Sequence, residues 1–159
     1  MTHNIIDCST PAFVHKGTYG FSPYGGSSGT GCKSVLKHVT RAGRLSWDVE
    51  VQREALYLSE RQQPGETIQG MELYKELKAK SIPMLNANVL DYLLAKPHLI
   101  PKSWEGKRVD FWGTIYLDFN GRPSVRCLRR WTSTSEWESG IQSLDTYWMF
   151  WYHAATHAG

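Results

Sequence analysis

Cysteine is scarce in this chain, and Cys8, Cys32 and Cys127 are odd in number and far apart. That spacing suggests neither a disulfide framework nor a zinc knuckle, and thiols so placed fit a reducing cytosol. Long apolar runs are missing too. The most apolar stretch, Tyr147 to Tyr152, is about a third of the ~20 residues that cross a bilayer. The N-terminal MTHNIIDCST has neither a basic start nor an apolar centre, so no signal peptide is read and a soluble, cytoplasmic protein is expected. Excess charge of one sign is also lacking. A formal net charge of +3 is too small to argue for nucleic acid from the total. No internal repeat is found, no catalytic signature is complete, and no cofactor is expected.

What is present points to one ordinary domain. The 159 residues can bury a core without staples. With 41% hydrophobic residues the chain is not disordered, yet seven Trp and eight Tyr exceed what such a core requires, so some should face a partner. Charge is unevenly placed. Before Trp47 the basic residues Lys16, Lys33, Lys37, Arg41 and Arg44 face the single acid Asp7. Residues 1–34 include the Gly/Ser/Tyr-rich KGTYGFSPYGGSSGTG, which reads as a basic loop or flexible arm, and residues 35–159 read as the folded domain.

Within that domain SVLKHVTRAGRL predicts a short strand or one helical turn ended by Gly43. Asp48 predicts the cap of a helix to about Glu60, with Val51, Ala55 and Leu58 on one face. A second helix, Gly70 to Lys80, carries Leu73 and Leu77 and an i,i+4 Glu76–Lys80 pair. A third runs from the Asn86 cap to Lys96 with Val89, Leu90, Leu93 and Leu94 inward, and Pro97 stops it. Lys107 to Trp131 predicts an antiparallel hairpin. Asp118, Asn120 and Gly121 suit a three-residue connection with a G1 bulge. An unbroken ladder then puts Val109, Phe111, Gly113, Ile115 and Leu117 with Val125, Cys127 and Trp131 on a core face. Trp112, Thr114 and Tyr116 lie opposite with Arg126, Leu128 and Arg130, and Asp110 sits across from Arg130. Segments around Trp137 and Trp148 predict two further strands. The fold expected is α+β: three short helices on a C-terminal antiparallel sheet able to curl into a small barrel.

The runs HVTRAGRLSWD, LYLSERQQPGETIQG and LNANVLDYLLAKPHLIPKSWEGK, followed by FWGTIY and VRCLRRW, resemble a group of small hypothetical proteins of bacterial metagenomes and mobile elements. The likeness covers roughly His38 to Trp131, and LNANVLDYLL and FWGTIY are its most specific parts. That group carries no assigned activity, so it implies no catalytic residues.

Several motifs come close to known chemistry. GSSGTGCKS approaches a phosphate-binding loop, but Cys32 separates Gly31 from Lys33, which sets the lysine one residue out of register. An anion-binding nest of Gly29, Gly31, Lys33 and Ser34 remains open. His153 and His157 have i,i+4 spacing, which would pair them for a metal if helical, against a frayed end. Glu136 and Glu138 would share a side of a strand, as acid and base or as solvated edge charges. The sharpest feature is the second hairpin face, where Trp112 and Tyr116 with Arg108, Arg126 and Arg130 combine flat π surfaces and guanidinium. Burial beneath the helices is its rival, with the arginines reaching the rim by their stems. The function expected is a non-enzymatic binding protein engaging a macromolecule through this face. Its partner would be a nucleic acid or a protein, which includes a second copy of the chain. The alternative is a binder or hydrolase of small nucleotides using the Gly-rich loop and Lys33.

Overall fold

The computed structural model describes residues 4–14, 19–21, 27–29, 32–130 and 136–158. In chain order these form β1 (Asn4–Asp7), β2 (Tyr19–Phe21), β3 (Ser27–Gly29), β4 (Ser34–His38), β5 (Arg44–Trp47), α1 (Val49–Gln52), β6 (Leu56–Tyr57) and β7 (Ile68–Gln69). Then follow α2 (Gly70–Ala79), α3 (Ala87–Ala95), β8 (Arg108–Asp110), β9 (Thr114–Leu117), β10 (Pro123–Arg130), β11 (Trp137–Ser143), β12 (Tyr147–Trp148) and β13 (Tyr152–Ala155). The class is α+β, as the sequence predicts, around a curled mixed sheet. Its order is β4-β9-β10-β8-β13-β6, with β11 on the other side of β10. Small ladders β1–β5, β2–β3 and β12–β7 lie outside it.

Helices α2 and α3 follow their apolar spacing, and α1 does not. Asp48 does cap α1, its carboxylate accepting from the N–H of Glu50 at 2.9 Å and of Val51 at 3.2 Å. The helix nonetheless ends after one turn, because Leu56 and Tyr57 pair with Ala155 and Ala154 of β13. Backbone groups of β13 need partners more than a weak apolar stripe needs a helix, and Val51 of that stripe is exposed. Helix α2 closes in a Schellman motif: Ile82 N–H donates to Leu77 O and Ser81 N–H to Lys78 O, with Ser81 left-handed at φ 52°. The Asn86 side chain caps α3 through Asn88 N–H, and its amide donates to the carbonyls of Cys8 and Val39, each at 2.9 Å. The segment Asn4–Asp7, expected as part of an arm, pairs with β5 and buries Ile6 and the adjoining Cys8 in the core.

The predicted turn is present. Gly121 has φ 74°, its N–H reaches Asp118 O at 3.0 Å, and Asp118 N–H reaches Arg122 O at 2.9 Å. Register holds through Leu117↔Pro123 and Tyr116↔Ser124, and then breaks. Asp110 lies opposite Cys127, not Arg130, and Val109 opposite Leu128. The cause is a turn at Trp112–Gly113, where another segment enters the sheet. Gly113 N–H donates to Leu85 O at 2.9 Å, Val39 N–H to Gly113 O at 2.7 Å, and Leu85 N–H to Ala155 O at 3.1 Å. A Cβ on Gly113 would lie 2.7 Å from the Leu85 carbonyl, so only glycine admits this approach. The sheet therefore splays, with β4 attached to β9 and β13 attached to β8.

That break also exchanges the faces. Trp112 joins Ile115, Val125, Leu73, Leu77 and Trp148 on the α2 side. Val109 and Phe111, expected with Ile115, pack instead with Leu128, Val89 and Leu93 on the α3 side. Trp131 falls outside the described residues.

A basic cleft at the mouth of the split sheet

The hairpin face expected to meet a partner is interior. Arg108, Trp112, Tyr116 and Arg126 are all at least 97% buried. Trp112 lies between Tyr74 of α2, stacked at 5.9 Å, and Trp148 at 5.2 Å. Tyr116 donates its hydroxyl to Phe13 O at 3.2 Å, and burial pushes its phenol above the ordinary pKa. Arg126 pairs with Asp91 of α3 at 3.0 Å. The fifth residue, Arg130, is half-buried and bonded to Glu105 at 2.6 Å. Both faces of β10 are covered, one by α2 and one by α3, so this surface is withdrawn as a docking site. The surplus tryptophans have the same explanation: Trp47, Trp104, Trp112 and Trp148 are core.

Arg108 and Asp110 form the polar centre of the α2 side. Arg108 Nε donates to Asp110 Oδ1 at 3.0 Å, Trp148 Nε1 donates to Asp110 Oδ2 at 2.8 Å, and another Arg108 nitrogen donates to Gln142 Oε1. The guanidinium carbon lies 3.4 Å from the centre of the Tyr152 ring. Burial pushes the Asp110 carboxyl up, while Arg108 and the Trp148 N–H pull it down. Each charge has its hydrogen-bond partners inside the sheet, which is how a buried pair is tolerated.

The remaining motifs disperse. Gly29 lies in β3, and Gly31 falls outside the described residues. Lys33 is exposed, but its N–H is taken by Leu117 O at 2.7 Å, and Ser34 is in the β4 ladder, so the proposed nest loses an amide. His153 lies on β13 with Nδ1 3.2 Å from Trp151 O, and burial lowers its pKa. An extended chain separates it from His157 by roughly 13 Å, so the helical pairing of the two imidazoles does not occur. Glu138 is bound to Arg129 at 3.2 Å and Glu136 is exposed.

A different site emerges where the sheet splays. Between the end of β4, the β4–β5 turn, the end of α2 and the chain after β13 lies a cleft of about 450 Å³. Its floor is apolar, from Val39, Leu77, Ile82 and Met84, and its rim carries Lys37, Arg41, Lys78 and His157. Among the described residues no carboxylate lines it. Among the described residues Lys37, Arg41 and Lys78 make no ion pair; Lys78 Nζ only overlies the Tyr74 ring at 4.6 Å.

One extra residue aims Lys37 there. Val35 pairs with Tyr116 but Lys37 pairs with Ile115, so Leu36 is a bulge. Without it Lys37 would take the parity of Tyr116 and face α3; with it Lys37 shares the Ile115 face, toward α2. Lys37 and Arg41 already stand out in the sequence as part of its basic first third. Lys78, Ser81 and Met84 could not have been added, because the contact between the end of α2 and the β4–β5 turn is purely tertiary. Compared with family models, curated proteins and solved structures, the chain matches none.

Proposed function

We propose that this is a non-enzymatic binding protein whose partner is a nucleic acid, held at the cleft by Lys37, Arg41 and Lys78. The observation that carries this reading is the convergence of three cations from separate elements on one cavity in whose wall the described residues place no carboxylate. Elsewhere seven arginines are neutralised by acidic neighbours: Arg53, Arg61, Arg108, Arg122, Arg126, Arg129 and Arg130. Like charges held together without counter-ions raise the local potential and favour a polyanion. Lys33 and Arg44, both exposed and flanking the site along the chain, extend the basic stretch beyond the cleft, which suits a strand of phosphates better than one carboxylate.

The test is fluorescence anisotropy with a labelled oligonucleotide across a salt series. Affinity should fall steeply with salt, and Lys37→Gln, Arg41→Gln and Lys78→Gln should each flatten the log–log slope by about 0.7. Binding that ignores all three changes together would refute the assignment. The cleft volume of about 450 Å³ supports a second reading, a small-nucleotide binder. Mononucleotide stabilisation of the wild type, lost in Arg41→Gln, would select it.

A further inference from the structure

We infer that the cleft seats an unpaired nucleotide, so that the protein distinguishes single strands from duplex. This rests on the nucleic-acid reading above and adds a choice of form. A duplex presents phosphates on a convex surface and keeps its bases stacked inside. It can meet the rim cations but must leave the partly exposed floor of Val39, Ile82 and Met84 facing water. An unpaired nucleotide can do both. Its phosphate stays with Lys37, Arg41 and Lys78 while the flat base displaces water from the floor, and the cavity of about 450 Å³ is large enough to hold it.

A second cavity of about 310 Å³ lies beside the first, with Ala42 and His157 in the walls of both. Its wall includes Arg44, Ser46 and Gln52. Gln52 is buried, its Oε1 accepts from Ala158 N–H at 3.1 Å, and its Nε2 has no hydrogen-bond partner among the described residues. That leaves an unpartnered donor buried just behind the wall of a cavity that Arg44 also lines, where a neighbouring nucleotide can offer a base acceptor and a phosphate. Asp48 on the same wall is the one acid that the described residues bring to the pair of cavities, and it disfavours a phosphate at its own position. The run from Lys37 to Arg44 therefore accommodates two successive nucleotides of one strand, base inward and backbone outward.

The experiment compares a labelled oligothymidine of about 12 nucleotides with a duplex of equal length at equal salt. The single strand should bind about tenfold more tightly. Ala42→Tyr, which adds bulk to the wall common to both cavities without changing charge, should reduce single-strand affinity to the duplex value and leave duplex affinity unchanged. A 5-iodouracil oligonucleotide should crosslink wild-type protein at Met84 or His157, a readout independent of whether the variant folds. Equal affinity for both forms, or crosslinks confined to the rim lysines, overturns this inference and leaves the parent reading standing. Failure to bind either form overturns both.

Discussion

Gly113→Ala should be the most damaging single-methyl change in the sheet. Its Cβ would lie 2.7 Å from both the carbon and the oxygen of the Leu85 carbonyl and 2.8 Å from Asn86 N. These are backbone atoms and cannot rotate away. Accommodation requires Leu85 to retreat, which lengthens the Gly113 N–H to Leu85 O bond at 2.9 Å and the Leu85 N–H to Ala155 O bond at 3.1 Å. Overpacking of a rigid site costs up to about 3 kcal/mol. For a chain of this length that corresponds to a Tm drop of roughly 6–12 °C, read by calorimetry or by circular dichroism with urea. Gly121→Ala is the control. It meets nothing within 4 Å and suffers only from φ 74°, at about 1 kcal/mol. If Gly113→Ala loses no more than Gly121→Ala, the chain does not close at Leu85 and the splayed sheet is wrong.

Three further outcomes are expected. Ser81→Gly relieves the left-handed strain at the end of α2 and should stabilise by up to about 1 kcal/mol, seen as a higher urea midpoint with unchanged slope. Asp110→Asn leaves Arg108 buried opposite a neutral amide and should cost about 3 kcal/mol, whereas Glu138→Gln at the more exposed pair should stay within about 1 kcal/mol. Burial pushes the Cys8 thiol from 9.0 up to about 11. The unfolded chain therefore loses its Cys8 proton at lower pH than the native chain, so the thiol's own contribution to stability is level well below pH 9 and falls by roughly 2 kcal/mol towards pH 11. Cys8→Ala should flatten that part of a urea-midpoint profile, and an unchanged slope would show that the thiol is not buried.

The residues that speak locally were readable and those that depend on distant partners were not. Asp118 and Gly121 specify their turn within a few residues, and Asn86, Leu73 and Leu77 mark their helices by capping and spacing, so all of these survive in the structure. The chain near Leu56 was misread because its fate depends on β13, about a hundred residues later in sequence, and no helical period reports that. Parity failed at Gly113 for a related reason. An alternating strand pattern continues through a glycine unless another backbone claims the space above it, and the claimant, Leu85, lies outside the hairpin. The rival reading of the aromatic face, burial under helices, follows from the same geometry, since α2 and α3 flank a sheet with apolar groups on both sides. The cleft was half legible: its cations stand out as charge asymmetry, but the apolar floor is assembled from three elements.

The placement of β13 sets an order of events for the growing chain. It lies between β8, to which it runs parallel, and β6, so until residues 152–155 are available β6 has no partner in the sheet, β8 is paired on its β10 side alone and the Leu85 N–H has no carbonyl to bond. The half built on β4, β9 and β10 can zip early from its tight turn. The other half, and with it the cleft, must wait as an uncovered edge, which makes it the part most in need of protection during synthesis.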